Sequence, residues 1–218
     1  MTKTNCLKAA LLLALLAALP AQAHYIWIEP VNGEAHLCFG EYENALREKT
    51  GGKLDNIAMP EVQINDDKRT AVAVQRKADY MAIAAKVGQP LIAQEITMKV
   101  KDLRKNNIGI VKPMYYTRFA SAEAEGASAL ALDIQPLGKG RVRVSLHGKP
   151  LAKAKLNIFA PNQWVREYET DANGEAAIDT PWPGLYVVEV VHVESVKGEY
   201  QGDAYEGVRH VGTLSFER

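Results

Sequence analysis

Beyond residue 23, apolar positions rarely recur at the three- and four-residue spacing of an amphipathic helix. They alternate over short stretches separated by Gly, Pro, Asn and Asp, which predicts strands. In "EAHLCFG", Ala35, Leu37 and Phe39 fall on one face and His36 and Cys38 on the other. "EVQIN", "RTAVAVQRK", "DYMAIAAK" and "LIAQEITMKV" are further predicted strands, with "NDDK" as the turn between the first two. The segment "EYENALREKTGG" breaks the pattern. It is polar, compatible with a helix and ends in Gly51-Gly52, so it predicts a short helix or a long loop.

Alternation is plainer in the second half. "GRVRVSLHGKPLAKAKLNIFA" predicts two strands about a turn at Gly148-Lys149-Pro150, and "WVREYETDANGEAAID" predicts a hairpin about Asn173-Gly174. "PWPGLYVVEVVHVE" and "RHVGTLSFER" supply the last two strands. The Ala-rich stretch "FASAEAEGASALALDI" lies between the halves. The expected fold is therefore all-β, with two β-sandwich domains over residues 24–127 and 128–218. The second is expected to be Ig-like, of the carboxypeptidase-regulatory-like kind.

The first 23 residues follow a different rule. Lys3 and Lys8 precede the eleven-residue apolar run "AALLLALLAAL", and "AQA" follows as a small-x-small cleavage site. A spanning helix needs roughly 20 apolar residues, so the run predicts a secretory signal peptide rather than an anchor. Cleavage after Ala23 gives a periplasmic chain that begins at His24 and is not embedded in the membrane; cleavage after Ala21 leaves Gln22 in front. Of the 26 basic side chains, Lys3 and Lys8 leave with the peptide, against 26 acidic ones that stay. The near-neutral remainder carries no electrostatic footprint for nucleic acid. Of two cysteines only Cys38 remains, which excludes an intrachain disulfide.

Four segments, in order along the chain, carry a resemblance: "HYIWIEP", "FGEYENALREKTGGKLDNIAMP", "KPMYYTRFA" and "GKPLAKAKLNIFA…TDANGEAAIDTPWPGLYVVEVVHVE". Together they are similar to a bacterial exported family of domains of unknown function associated with periplasmic nickel/cobalt uptake. The His-x-x-Trp-x-x-Pro start and the Phe-Gly-Glu…Arg-Glu block are the most specific parts. The resemblance implies periplasmic metal handling, with nickel or cobalt as the ion and a membrane metal transporter as partner.

Chemistry points to the same class of ligand. A free N-terminal His24 joins its α-amino group and Nδ1 in a six-membered chelate, and that amine, with a pKa of about 7.7–8.0, loses its proton readily to a metal. Such nitrogen donors suit copper as well as nickel. His192 and His210, on successive strands, are the expected partners of His24; His36, Cys38 and Glu41 are weaker metal candidates. His147, at a turn, reads as an ordinary surface residue. Glu41, Glu43, Arg47 and Glu48 read as a salt-bridged clamp over the first strand, and Trp27 as its core anchor. No nucleophile elbow, H-E-x-x-H, phosphate loop or C-x-x-C occurs, so no catalytic residue is expected. Two alternatives stand beside a metal-binding protein. One is a protein- or carbohydrate-binding β-sandwich module without metal; the other is a copper-dependent oxidative enzyme centred on His24.

Overall fold

The computed structural model describes residues 24–86, 88–124, 127 and 129–218. The expected signal peptide, residues 1–23, lies outside the described residues, as do Glu125, Gly126 and Ser128 of the Ala-rich stretch. Among the described residues there is no α-helix, only strands and three short 3-10 turns. None of their helices is long and apolar enough to cross a membrane. The all-β class expected from the alternation is what the chain forms.

Its centre is an eight-stranded sheet. In spatial order it runs Val165–Glu169, Lys155–Phe159, Leu185–Glu194, Gly207–Glu217, Ile110–Phe119, Leu91–Glu95 and Glu61–Ile64, with Lys101–Asp102 also paired to Ile110–Phe119. All neighbours are antiparallel except Gly207–Glu217 and Ile110–Phe119, which run parallel from Gly207↔Val111 to Ser215↔Phe119. Parallel neighbours need a crossover, and here the crossover contains most of the C-terminal half. Strands from 24–127 and from 128–218 therefore share one sheet.

Both faces of this sheet are covered, which explains the near-continuous apolar run "LYVVEV". On one face Val187, Val211, Tyr115 and Phe119 meet Tyr25, Ile26, Trp27 and Ile28 of the first strand, Tyr25–Val31. That strand belongs to a five-stranded sheet with Glu34–Glu41, Leu46–Arg47, Val74–Arg76 and Met81–Ile83. On the opposite face Tyr186, Val188, Val190 and Leu214 pack with Leu132, Ile134, Val142 and Val144 of a four-stranded sheet. Successive side chains thus enter different cores. A strand slip of one residue would exchange the two.

Local expectations differ at two places. "EYENALREKTGG" forms a 3-10 turn at Tyr42–Asn44 and the two-residue strand Leu46–Arg47, not an α-helix. Gly40, at φ +149°, makes the tight return there; a Cβ on it would run into the Leu46 carbonyl. "DANG" does turn, with Asp171 Oδ1 accepting from the Asn173 and Glu175 amides at 2.8 and 2.9 Å. Its two arms do not pair as a hairpin. Val165–Glu169 joins Lys155–Phe159, whereas Glu175–Ala177 joins Arg141–Leu146 in the four-stranded sheet. The turn chemistry is local and the pairing partners are not.

Candidate metal centre

Leu185–Glu194 and Gly207–Glu217 pair with His192 directly opposite His210 and Glu194 opposite Val208. Residues opposite one another project to the same face, and so do residues two apart, so His192, Glu194 and His210 share the face covered by the four-stranded sheet. A hairpin tip from that sheet arrives at the same place. Arg141–Leu146 returns into Lys149–Pro150 through His147 and Gly148, at φ +50° and +74°, the left-handed pair of a two-residue turn. Gly148 makes that turn inexpensive, and it carries His147 over the end of the long strands.

His147, Glu194 and His210 consequently converge. Each offers a ligand atom, and these atoms all lie within 4.8 Å of one another. The Nε2 atoms of His147 and His210 sit 3.2 and 3.3 Å from the same oxygen, Glu194 Oε2. Their rings meet edge to face with centroids 5.7 Å apart. His210 is buried and His147 exposed, with Glu194 between them, so the group opens to solvent on one side only.

The electrostatics prepare a neutral imidazole beside an ionised carboxylate. Burial lowers the pKa of His210, although Glu194 pulls it the other way. Hydrogen bonding to His147, and then to His210, holds Glu194 below the usual carboxylate range. The other nitrogen of His210, Nδ1, lies 3.2 Å from Tyr116 Oη, and that hydroxyl donates to Met114 Sδ at 3.3 Å. A metal would need the Nδ1–H tautomer, with Nδ1–H donated to Tyr116 Oη and the Nε2 lone pair on the ion in place of the hydrogen bond that Glu194 accepts from Nε2 in its absence. Two imidazole nitrogens and one carboxylate oxygen form a donor set for a divalent transition metal. The residues present fit such an ion.

The remaining expected site residues lie elsewhere. His192 shares the face of His210 but is not one of the three convergent donors. His24 lines a cavity with Tyr115 and Arg209, on the opposite face of the central sheet from His210. Its ring is held at both nitrogens, Nδ1 by Glu41 at 3.2 Å and Nε2 by Glu48 at 2.5 Å, and Lys53 approaches Nε2 at 3.3 Å. Carboxylates on opposite sides of one ring cannot share a single ion with it. His36 stacks on Tyr80, centroids 3.6 Å apart, with Nε2 3.3 Å from Glu34. Cys38 is buried, donates to Glu29 Oε1 at 3.4 Å and has its thiol pKa pushed well up by burial. His36 and Cys38 therefore keep separate partners.

The acidic block grips the first strand along its length. Arg47 binds Glu29 through Nε and Nη2 at 2.7–3.0 Å and lies over the Trp27 ring at 5.4 Å. Burial opposes ionisation of Glu29, but the hydrogen bonds from Arg47 and Trp27 outweigh it and hold its pKa down. Glu43 accepts from the Tyr25 hydroxyl.

His147 and Glu194 are the two donors not among the expected metal ligands. "HG" between two strands signals a left-handed turn at the histidine, and the offset of two between His192 and Glu194 places the carboxylate on the right face. What the sequence does not carry is the packing of one sheet's hairpin over the edge of another. No protein-family model, curated protein or solved structure matches this chain.

Proposed function

We propose that the chain is an exported, periplasmic, non-enzymatic protein that binds a transition metal at His147, Glu194 and His210 and passes it to a membrane metal transporter. The observation that carries this function is the convergence of three ligand atoms within 4.8 Å, two of them imidazole nitrogens on one carboxylate oxygen. Nickel or cobalt is the proposed cargo, supported by the sequence resemblance; copper suits the same donors. The four-stranded sheet and the C-terminal strands beneath it form, in this proposal, an Ig-like sandwich with the centre at one end. In a chain cut after Ala23, the His24 α-amino group supplies a separate donor, and its chelate requires Nδ1 to leave Glu41.

Metal accumulation by cells is the functional test. Cells lacking the chain should take up less nickel or cobalt at limiting external concentration. The wild-type chain should restore uptake, while a folded, exported His210→Ala chain should not. Uptake that is indifferent to the chain, or restored equally by His210→Ala, removes the proposed role and leaves a non-metal binding module as the better account.

A further inference from the structure

The cavity beneath His24 has a composition of its own. Its volume is about 390 Å³, within the range of roughly 300–1,000 Å³ usual for small-molecule sites. Lys53, Lys101 and Arg209 line it, and no acidic side chain does. Phe39, Met98 and Ile108 supply apolar wall between these cations.

Arg209 is the unusual member. Gly207–Glu217 is buried on both faces, and Arg209 projects from it toward the first strand while its neighbour His210 projects to the other face. The residue is only 7% exposed, and its Nε has no hydrogen-bond partner. Among the described residues it forms no ion pair; the Tyr115 hydroxyl is its hydrogen-bonding neighbour. A buried guanidinium without a carboxylate is costly to keep, and an anion that completes it removes that cost. Glu189 lies on the neighbouring strand, opposite Thr213 and four residues along from Arg209, and forms no ion pair with it; burial raises that carboxyl to about 7 and its Oε1 is itself unpartnered.

We propose that this cavity binds a small organic anion, a carboxylate carried on an apolar body, with the charged end on Arg209 and Lys101. Guanidinium takes a carboxylate through two parallel N–H donors, and Nε is one of the pair. Phe39, Met98 and Ile108 receive the apolar portion. An inorganic anion satisfies the cations but leaves those walls wet. The site is independent of the metal centre, since Arg209 and His210 leave the strand on opposite sides.

Hexanoate, its neutral isostere hexanamide and inorganic phosphate are the probes, titrated calorimetrically into the full exported chain. Hexanoate should bind at one site, with hexanamide and phosphate each weaker by about tenfold or more. Lys101 is exposed on a two-residue strand, so K101A folds and should weaken hexanoate severalfold. R209Q should remove hexanoate binding while leaving the response to Ni(II) unchanged. If R209Q fails to fold, the hexanoate–hexanamide contrast and K101A decide the matter. Equal binding of hexanoate and hexanamide, absence of hexanoate binding, tighter binding of phosphate, or wild-type affinity in K101A overturns the assignment.

Discussion

Two charged clusters, one on each face of the central sheet, are built in opposite ways. Toward the four-stranded sheet, Arg118 and Asp133, both essentially fully buried, pair through Nε and Nη2 at 2.9 and 2.6 Å. On that same face Glu194 gathers His147 and His210. Toward the five-stranded sheet, Glu189 and Arg209 are buried with unpartnered atoms, and His24 is gripped from both sides. One face therefore offers ligand atoms that meet at a point. The other offers a cationic hollow and a histidine whose ring nitrogens point apart. Having a histidine near carboxylates is not enough for chelation; the donors must converge.

Breaking the paired charges should have the largest effect. Asp133→Ala strands a buried guanidinium and should destabilise the protein by roughly 3–5 kcal/mol in urea unfolding. A loss below about 1 kcal/mol would mean that Arg118 finds water or another partner.

Next comes the unpaired carboxyl. The folded pKa of Glu189 lies near 7 against an ordinary 4.5, so the folded state holds a proton that the unfolded state releases. Its contribution is fully present below pH 4.5 and lost as pH rises through 7, a change on the order of 3 kcal/mol. Glu189→Gln mimics the protonated form and should raise the Tm above pH 7 while leaving it unchanged near pH 4.5. The other face titrates oppositely. Glu194 and His210 both have lowered folded pKa values, so their contribution is present at neutral pH and lost in acid. Metal binding should weaken as pH falls through the imidazole range, because protons compete for the same nitrogens.

Among the ligands, His210→Ala should cost about 100-fold or more in metal affinity. Glu194→Gln keeps the shape but loses the anionic donor, and should cost about tenfold. His24→Ala should change affinity at the triad least of all, since His24 lies on the other face. Equilibrium dialysis of the three variants side by side orders these effects; a larger loss for His24→Ala than for His210→Ala reverses the contrast between the faces.

Much of this contrast is legible in the sequence once periodicity is followed. Alternation in "EVQIN", "LIAQEITMKV" and "VVEVVHVE" marks strands that exist, and the proximity of His192 and His210 follows from neighbouring strands in one ladder. Trp27 is wholly buried, as expected of a core anchor. Local signals fail where partners are remote. "DANG" turns as its residues require, yet its arms enter different sheets. His147 is a turn residue by every local rule, and only the docking of its hairpin over Glu194 makes it a ligand. The parallel pairing of Ile110–Phe119 with Gly207–Glu217 joins segments about a hundred residues apart. Nothing near either segment announces that pairing.

Calorimetric titration with Ni(II), Co(II) and Cu(II) tests the central claim most directly. The proteins to compare are the wild type cut after Ala23, the same chain with one residue added before His24, and His147→Ala/His210→Ala. One site should appear in the first two with similar affinity and vanish in the third. A site abolished by the added residue and retained in the double variant would place the metal at the N-terminal histidine, contradicting the assignment to His147, Glu194 and His210.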